Sequence, residues 1–521
     1  MKRDFSLLAG RHVDLLVCGG GIYGAWTAYD AALRGLNVAI VEQGDWAGAT
    51  SSASSKLIHG GLRYLETYDF KLVRKAILER QLLLELAPHR VWPLCFGVPI
   101  YKGGRIGTLQ LKAGLTVYDF LAGFPDVEIA HRHFDRATFA ERFPVLAGDG
   151  LKGGFTYGDA QTDDARLVLE LIAGAMAAGA ACVNYCQLTG LIESGGQVCG
   201  ATVQDRLQNK STQILARQIV YTTGQWTAAS ASGRDWCRLT KGIHLVMPAA
   251  LNDEALLLTA QSDGRVFFMI PWYGMTLIGT TDTDYKGDIE HVVVEKKDVT
   301  YLLAEANHYM KIAWIEADIV GSYAGVRVMK RSDKASPSAV SRDWELKTAS
   351  NGVHYSIGGK ITSAREDAAS IVNTVCAQLG IDTPCATKNR PFPWAPEIDF
   401  DQWSVAVNAQ ANQLGISQES TKWLIRRHGK RVEQVLINIE ADPRLAERIV
   451  PNLSFIYADL LFCAHDEMVI HLDDLLRRRM PLLILAKLSE IPLRRLAETV
   501  APVMGWDEAA INREVASCRQ R

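Results

Sequence analysis

Residues 13–42 constrain this chain more than any other stretch. Residues 13–18 are almost wholly apolar and run into a glycine cluster, the pattern of a short buried strand. Gly19, Gly21 and Gly24 then stand at G-x-G-x-x-G spacing. Residues 25–33 are rich in helix formers, Gly35 closes the helix, and residues 36–41 form a second strand with Glu42 at its end. In such a unit one glycine makes the tight turn, one admits backbone to a pyrophosphate, and one lets helix and strand pack closely. The helix N-terminus offers unpaired N–H groups to phosphate oxygens. An acid about 20 residues on accepts hydrogen bonds from ribose hydroxyls. The order strand, turn, helix, strand, acid predicts a dinucleotide site built from Gly19, Gly21, Gly24 and Glu42.

A chain of 521 residues exceeds one domain; at about 150 residues each it predicts two to four. A hydrophobic content of 48% against 22% charged residues supports a large core. The net charge of −2 argues against nucleic acid as the main partner. The ten cysteines include no C-x-x-C pair; Cys182 and Cys186 are spaced C-x-x-x-C, and the set reads as free buried thiols in a reducing compartment. The first residues lack the apolar core of a signal peptide. Residues 171–192 carry no charge and are long enough to span a bilayer. Gly174, Gly179, Asn184, Gln187 and Thr189 interrupt them, so the stretch divides better into a helix over 163–177, a turn, and a strand over 182–191.

Along the chain, the small-residue run 44–55 follows the acid directly and is expected to cross the cofactor. Arg63 is a candidate for bidentate pairing with phosphate or carboxylate. Residues 69–87 are a predicted helix, with Asp69 as N-cap and Pro88 as its stop. Residues 102–124 mix Lys102, Arg105 and Lys112 with Leu109, Leu111, Leu115, Tyr118, Phe120, Leu121 and Phe124. Such a segment suits an anionic membrane surface and equally a helix docked on its own domain. Residues 182–220 alternate as a small antiparallel sheet, running into a glycine turn at 221–226 that returns towards the pyrophosphate. A hairpin is expected around Tyr273-Gly274. Residues 384–396 form a proline-rich linker, and helical periodicity dominates from about residue 400, as in 460–496, with no evident chemistry.

Together these motifs resemble one family, the FAD-dependent glycerol-3-phosphate dehydrogenases of the aerobic, membrane-associated, quinone-linked type. The resemblance rests on the 19–24 loop, residues 50–52 and 54–65, residues 159–167, Lys241-Gly242 with His244, and residues 270–272 and 277–282. Residues 323–327, 358–360 and 460–479 extend it over nearly the whole chain. It implies an α/β fold: a Rossmann-like FAD-binding domain interleaved with an antiparallel-sheet substrate domain, plus an all-helical C-terminal domain. The expected boundaries are 1–95, 150–240 and 320–383 for FAD binding, 96–149 and 241–319 for the substrate domain, 384–396 for the linker, and 397–521 for the helical domain.

The resemblance further implies FAD as cofactor and no metal. Gly19, Gly21, Gly24 and Glu42 would hold the ADP half. Thr50, Ser51, Ser55, Lys56 and Leu57 would pass along the pyrophosphate and flavin, and Gly359, Lys360 and Thr362 would approach the isoalloxazine. Arg63, Tyr64, His244, Arg327 and Lys360 would converge on a small phosphorylated substrate. A phosphate dianion in a dry site needs several fixed cations. His244 is the expected base, because its pKa needs only a small shift to serve. Arg327 would stabilise the developing alkoxide, and Lys360 completes the catalytic set. The implied reaction oxidises sn-glycerol 3-phosphate to dihydroxyacetone phosphate. Electrons would pass to a membrane quinone, with the protein peripheral on the cytoplasmic face of the membrane; a homodimer stays open. An oxygen-using oxidase of the same fold, an amine oxidase and a flavoprotein redox sensor are the competing classes. Gln225, Ile243, Val328, Ser363 and Ala364 depart from the family pattern while the charged residues are kept. These departures make a longer polyol phosphate, such as erythritol phosphate, the alternative substrate.

Overall fold

The computed structural model describes residues 1–123, 129–230, 233, 235–249, 251, 253–331 and 343–519. Two large sheets organise these residues. The first is built on His12–Cys18, which pairs in parallel with Val38–Val41 on one side and Lys210–Tyr221 on the other. Ala181–Val183 and His354–Ile357 extend the parallel set at its two ends. Leu15 and Val17 face one cluster and Leu16 and Cys18 another, so the strand is apolar on both faces. The helices Ile22–Leu33, Asp164–Ala177 and Ala364–Leu379 pack together on the Leu15 side. The antiparallel strands Cys186–Ser194 and Gln197–Asp205 pack on the other.

The second sheet is antiparallel except where Ala255–Thr259 lies parallel to Val91–Tyr101. Its centre is the meander Cys237–Met247, Met275–Gly279, Val266–Trp272 and Ala255–Thr259. The expected hairpin is present, turning at Tyr273 and Gly274, both with positive φ. Hydrogen bonding carries this sheet beyond residues 96–149 and 241–319. Leu57–Ile58, Leu151–Thr162 and Gly321–Lys330 are all members, although the sequence partition grouped them with the flavin domain. Each is a strand whose partner lies far away in the chain, which local pattern does not report.

Local signals hold well. Asp69 caps Phe70–Leu86 by accepting the Leu72 N–H, and Asp163 caps Asp164–Ala177 through the Arg166 N–H. The uncharged stretch 171–192 is that helix's end followed by the strands Ala181–Val183 and Cys186–Ser194. Among the described residues no helix is long and apolar enough to cross a membrane. The basic amphipathic stretch is the helix Thr108–Leu121. It buries Leu111, Leu115 and Tyr118 while Leu109 and Phe120 are 84% and 64% exposed, so docking and an apolar outer face coexist. Phe124 lies outside the described residues.

The C-terminal helices divide. Phe400–Gln413, Gln418–His428 and Val432–Ala441 share one small core. Leu460, Leu476, Leu482, Leu496 and Val515 instead join a core with Trp92, Phe96 and Trp272 of the second sheet. The 460–496 stretch is not one helix: Tyr457–Asp466 ends, a π-turn covers Leu475–Arg479, and Glu490–Met504 begins anew.

Candidate active site

The glycine loop brings backbone against backbone. A Cβ on Gly19, whose φ is +110°, would sit 2.6 Å from the Thr222 carbonyl oxygen; one on Gly24 would sit 1.9 Å from that of Gly19. Only glycine permits this approach of helix start to strand end. The Thr222 hydroxyl donates to the Cys18 and Gly19 carbonyls, so the 221–226 turn does return to the loop. Helix Ile22–Leu33 starts at Gly21, and Ser51 Oγ accepts the Ile22 N–H at 2.9 Å. The Glu42 carboxylate accepts the Gly20 and Gly44 N–H groups at 2.6 and 2.8 Å. Burial raises its pKa while these bonds oppose the rise. Its remaining lone pairs suit ribose hydroxyls. A close-approach glycine loop, a helix N-terminus and a fixed acid fit the ADP half of a dinucleotide.

Three residues past Glu42, Asp45 reaches the C-terminal segment. It accepts from Arg478 Nε at 2.6 Å and Arg479 Nη2 at 2.9 Å, all buried, and Trp46 Nε1 lies 3.2 Å from Met468 Sδ. Deeper in, Arg166 bonds Glu467, while Glu170 takes His89, Arg90 and the Trp394 N–H. The helical segment therefore holds the loop that follows Glu42 in place, a role its sequence does not announce. His428, Asp459 and Cys463 also converge there, but Arg427 ion-pairs with Asp459 and Arg166 reaches Cys463, so the chain's own cations balance that cluster.

Residues 50–62 are sewn to every element around them. Thr50 Oγ1 donates to the Val326 carbonyl at 2.6 Å. Asp164 takes the Ser54 N–H and hydroxyl, at 3.0 and 2.7 Å, and the Lys56 ammonium at 2.6 Å. Lys56 also donates to the Ser52 carbonyl and lies about 5 Å from the ring centroids of Trp272 and Tyr323. Its charge is therefore engaged, and a part for Lys56 in cofactor binding falls to its backbone. Leu57 is buried and pairs with Gln161. The His59 N–H donates to Thr362 Oγ1 at 3.1 Å and the Gly60 N–H to Asp159.

The five expected substrate residues fall into two groups joined by this loop. In one, Lys360 Nζ lies 3.8 Å from the Tyr64 ring centroid, and Arg63 stacks on the same ring, its Cζ 4.9 Å away. Lys360 sits on a turn in which Gly358 and Gly359 have φ of +74° and +92°. The Lys360 N–H donates to Tyr23 Oη at 3.0 Å, and Tyr23 donates to Asp367 at 2.8 Å. Lys75 pairs with Asp367 and Ser363 donates to it.

In the other group, strand Cys237–Met247 carries His244 opposite Gly279 on one neighbour and Tyr323 on the other. The imidazole is buried and stacks on Tyr323 at 4.8 Å with 20° between planes. A Cβ on Gly279 would lie 2.2 Å from His244 Cδ2. Nε2 is 2.9 Å from Ser55 Oγ, while Nδ1 is buried with no hydrogen-bond partner among the described residues. Burial holds the ring well below its ordinary pKa, and the Arg327 and Lys56 charges add to that. Arg327 packs over Gly242, donates to Thr280 Oγ1 at 2.6 Å and to the Thr281 carbonyl, and faces Asp282 at 3.5 Å. Lys241, by contrast, is buried against Glu295 and Asp298 and is structural.

Tyr23, Asp164, Tyr323 and Asp367 were not among the expected site residues. Tyr23 stood inside the glycine motif, and Asp164 and Tyr323 inside the runs 159–167 and 323–327 that carry the resemblance; Asp367 had no such signal. Of the departures from the family pattern, Ser363 belongs to the Tyr23–Asp367 support of Lys360, while the others lie apart from both groups. Ile243 joins the Leu245 and Met247 core, and Val328 packs behind the first sheet. Gln225 donates to the Ile289 carbonyl, Ser363 to Asp367, and Ala364 is fully buried.

A family model described as FAD dependent oxidoreductase matches residues 14–365, and one for the C-terminal domain of alpha-glycerophosphate oxidase matches 385–511. Glycerol-3-phosphate dehydrogenase 2 of Mycobacterium tuberculosis is 35% identical over 539 residues, covering 99% of this chain and 88% of the relative. The aerobic glycerol-3-phosphate dehydrogenase of Bacillus subtilis is 35% identical, covering 92% and 89%. The solved glycerol-3-phosphate dehydrogenase from Bacillus halodurans, complexed with FAD, superposes with a TM-score of 0.80 at 28% identity over 99% of this chain and 95% of that one. Set beside a glycine loop and acid that fit a dinucleotide, these matches show that the chain belongs to the FAD-dependent glycerol-3-phosphate dehydrogenase family.

Proposed function

We propose that the protein oxidises sn-glycerol 3-phosphate to dihydroxyacetone phosphate and that its electrons end on a membrane quinone. The relatives carry the substrate in their names, and the observation that supports it in this chain is His244. A buried imidazole kept neutral beside a fixed guanidinium is in the unprotonated state a general base needs, although the burial and charge that keep it neutral also make it a weaker base than a free imidazole. FAD, when bound, supplies the acceptor for the hydride. Arg63 and Lys360 bind the phosphate dianion, with Tyr64 ordering both cations through its ring. His244 takes the hydroxyl proton on a ring nitrogen, and Arg327, anchored by Thr280 and Thr281, balances the charge left on the substrate oxygen.

The exposed Leu109 and Phe120 of helix Thr108–Leu121, near Lys112, support peripheral attachment to an anionic membrane. The test is steady-state turnover of sn-glycerol 3-phosphate with a soluble quinone analogue against oxygen alone. Quinone reduction that far outpaces peroxide formation agrees with the proposal; stoichiometric peroxide with no quinone reduction assigns an oxidase instead.

A further inference from the structure

The expected duty of Ser55 was contact with the cofactor, but its hydroxyl has another partner. His244 is held on its faces, by the Tyr323 ring on one side and the Gly279 backbone on the other, and these contacts leave its edge orientation unspecified. Ser55 Oγ, 2.9 Å from Nε2, is the hydrogen bond that the described residues make to the ring. A catalytic histidine is usually oriented by a carboxylate, yet the nearby carboxylates are committed elsewhere. Asp164 is tied to Lys56 and Ser54, and Asp282 faces Arg327. A hydroxyl orients the ring without placing a negative charge beside it, so the neutral imidazole is not drawn towards protonation. Ser55 is itself fixed, because Ser54 and Lys56 on either side of it are both anchored to the buried Asp164.

We propose that Ser55 is the positioning residue for His244, setting the orientation in which the imidazole meets the substrate hydroxyl. The inference rests on the reading of His244 as the base. The charged and titratable groups around the ring are Arg327 and Tyr323 from strand Gly321–Lys330, Lys56 from the loop, and Asp164 and Asp282 as the partners of the two cations. None of them changes when Ser55 is replaced.

The test compares Ser55→Ala, Ser55→Thr and His244→Asn as FAD-loaded enzymes, measuring kcat, KM for sn-glycerol 3-phosphate, bound flavin and the pH profile of kcat/KM. Ser55→Ala should lower kcat about tenfold, the worth of one buried hydrogen bond, and displace the acid limb of the profile. KM should stay within about twofold, since the bond lies off the phosphate. Ser55→Thr, which keeps the hydroxyl, should restore most of the rate and the limb. If His244→Asn abolishes turnover while Ser55→Ala keeps the wild-type kcat and limb, the inference falls and the base stands. Loss of FAD from Ser55→Ala, with normal turnover per remaining flavin, also overturns it and returns Ser55 to a cofactor role. If His244→Asn turns over normally, the base reading itself fails.

Discussion

Replacing Asp164 with asparagine probes the joint that fixes the loop over the candidate site. Asp164 and Lys56 are 0% and 3% exposed at their side chains and meet at 2.6 Å. The asparagine amide oxygen still accepts from Ser54, so what is lost is the charge facing a buried ammonium and the acceptor of the Ala165 N–H. An uncompensated buried ion of this kind costs about 3–5 kcal/mol. The Ser52 carbonyl and the Trp272 and Tyr323 rings soften that cost without removing it. Urea unfolding of the FAD-loaded protein should give this loss as a shift in midpoint multiplied by m. Turnover should fall with it, because Ser55 and the ring it touches move when the loop loosens. The control is Lys56→Met combined with Asp164→Asn, which removes the stranded charge and should recover most of the stability. A single-variant loss below about 1 kcal/mol, the scale of an exposed pair, refutes the reasoning, as does a double variant no better than the single one.

Other outcomes follow from separate parts of the molecule. Tyr23→Phe removes the oxygen that accepts the Lys360 N–H and should raise KM about three- to tenfold while FAD stays bound, measured by initial rates and flavin absorbance. Burial lowers the His428 pKa to about 4, against about 6.5 in the unfolded chain, so the unfolded state binds more protons between those values. Stability should therefore fall by about 3 kcal/mol as pH drops from 6.5 to 4, and His428→Gln should flatten that window in pH-dependent urea unfolding. Glu170 behaves with the same sign at lower pH. Burial alone would raise it, but His89 and Arg90 hold it at about 2, so its contribution is present above the ordinary carboxylate range and vanishes as pH falls through 2. Glu170→Gln and the parent protein should accordingly converge in acid unfolding. The pair Leu109→Glu and Phe120→Glu should abolish co-sedimentation with anionic vesicles and leave soluble turnover intact.

What was legible beforehand was local. The Gly19, Gly21, Gly24 and Glu42 unit, the cap at Asp69, and the Tyr273-Gly274 turn each depend on a few adjacent residues, and each stands where expected. The resemblance in residues 54–65 supplied candidates for the site but not their contacts. Ser55 meets His244 across 189 positions and Lys56 meets Asp164 across 108, separations over which spacing carries no information. Sheet membership was not legible for the same reason: Leu151–Thr162 and Gly321–Lys330 look alike in either sheet until their partners are known. The loop-holding role of Arg478 and Arg479 was hidden because their partner, Asp45, lies more than 400 positions away, in a region of the chain unrelated to the helical periodicity around them.

The most direct measurement is an oxygen-free titration of the FAD-loaded protein with sn-glycerol 3-phosphate, followed by visible flavin absorbance. Complete bleaching at one equivalent of dihydroxyacetone phosphate formed per flavin is the predicted result. An unbleached flavin under that substrate, with bleaching by an amine or by a phosphate-free polyol, contradicts the account of a cationic pocket built for a phosphorylated alcohol.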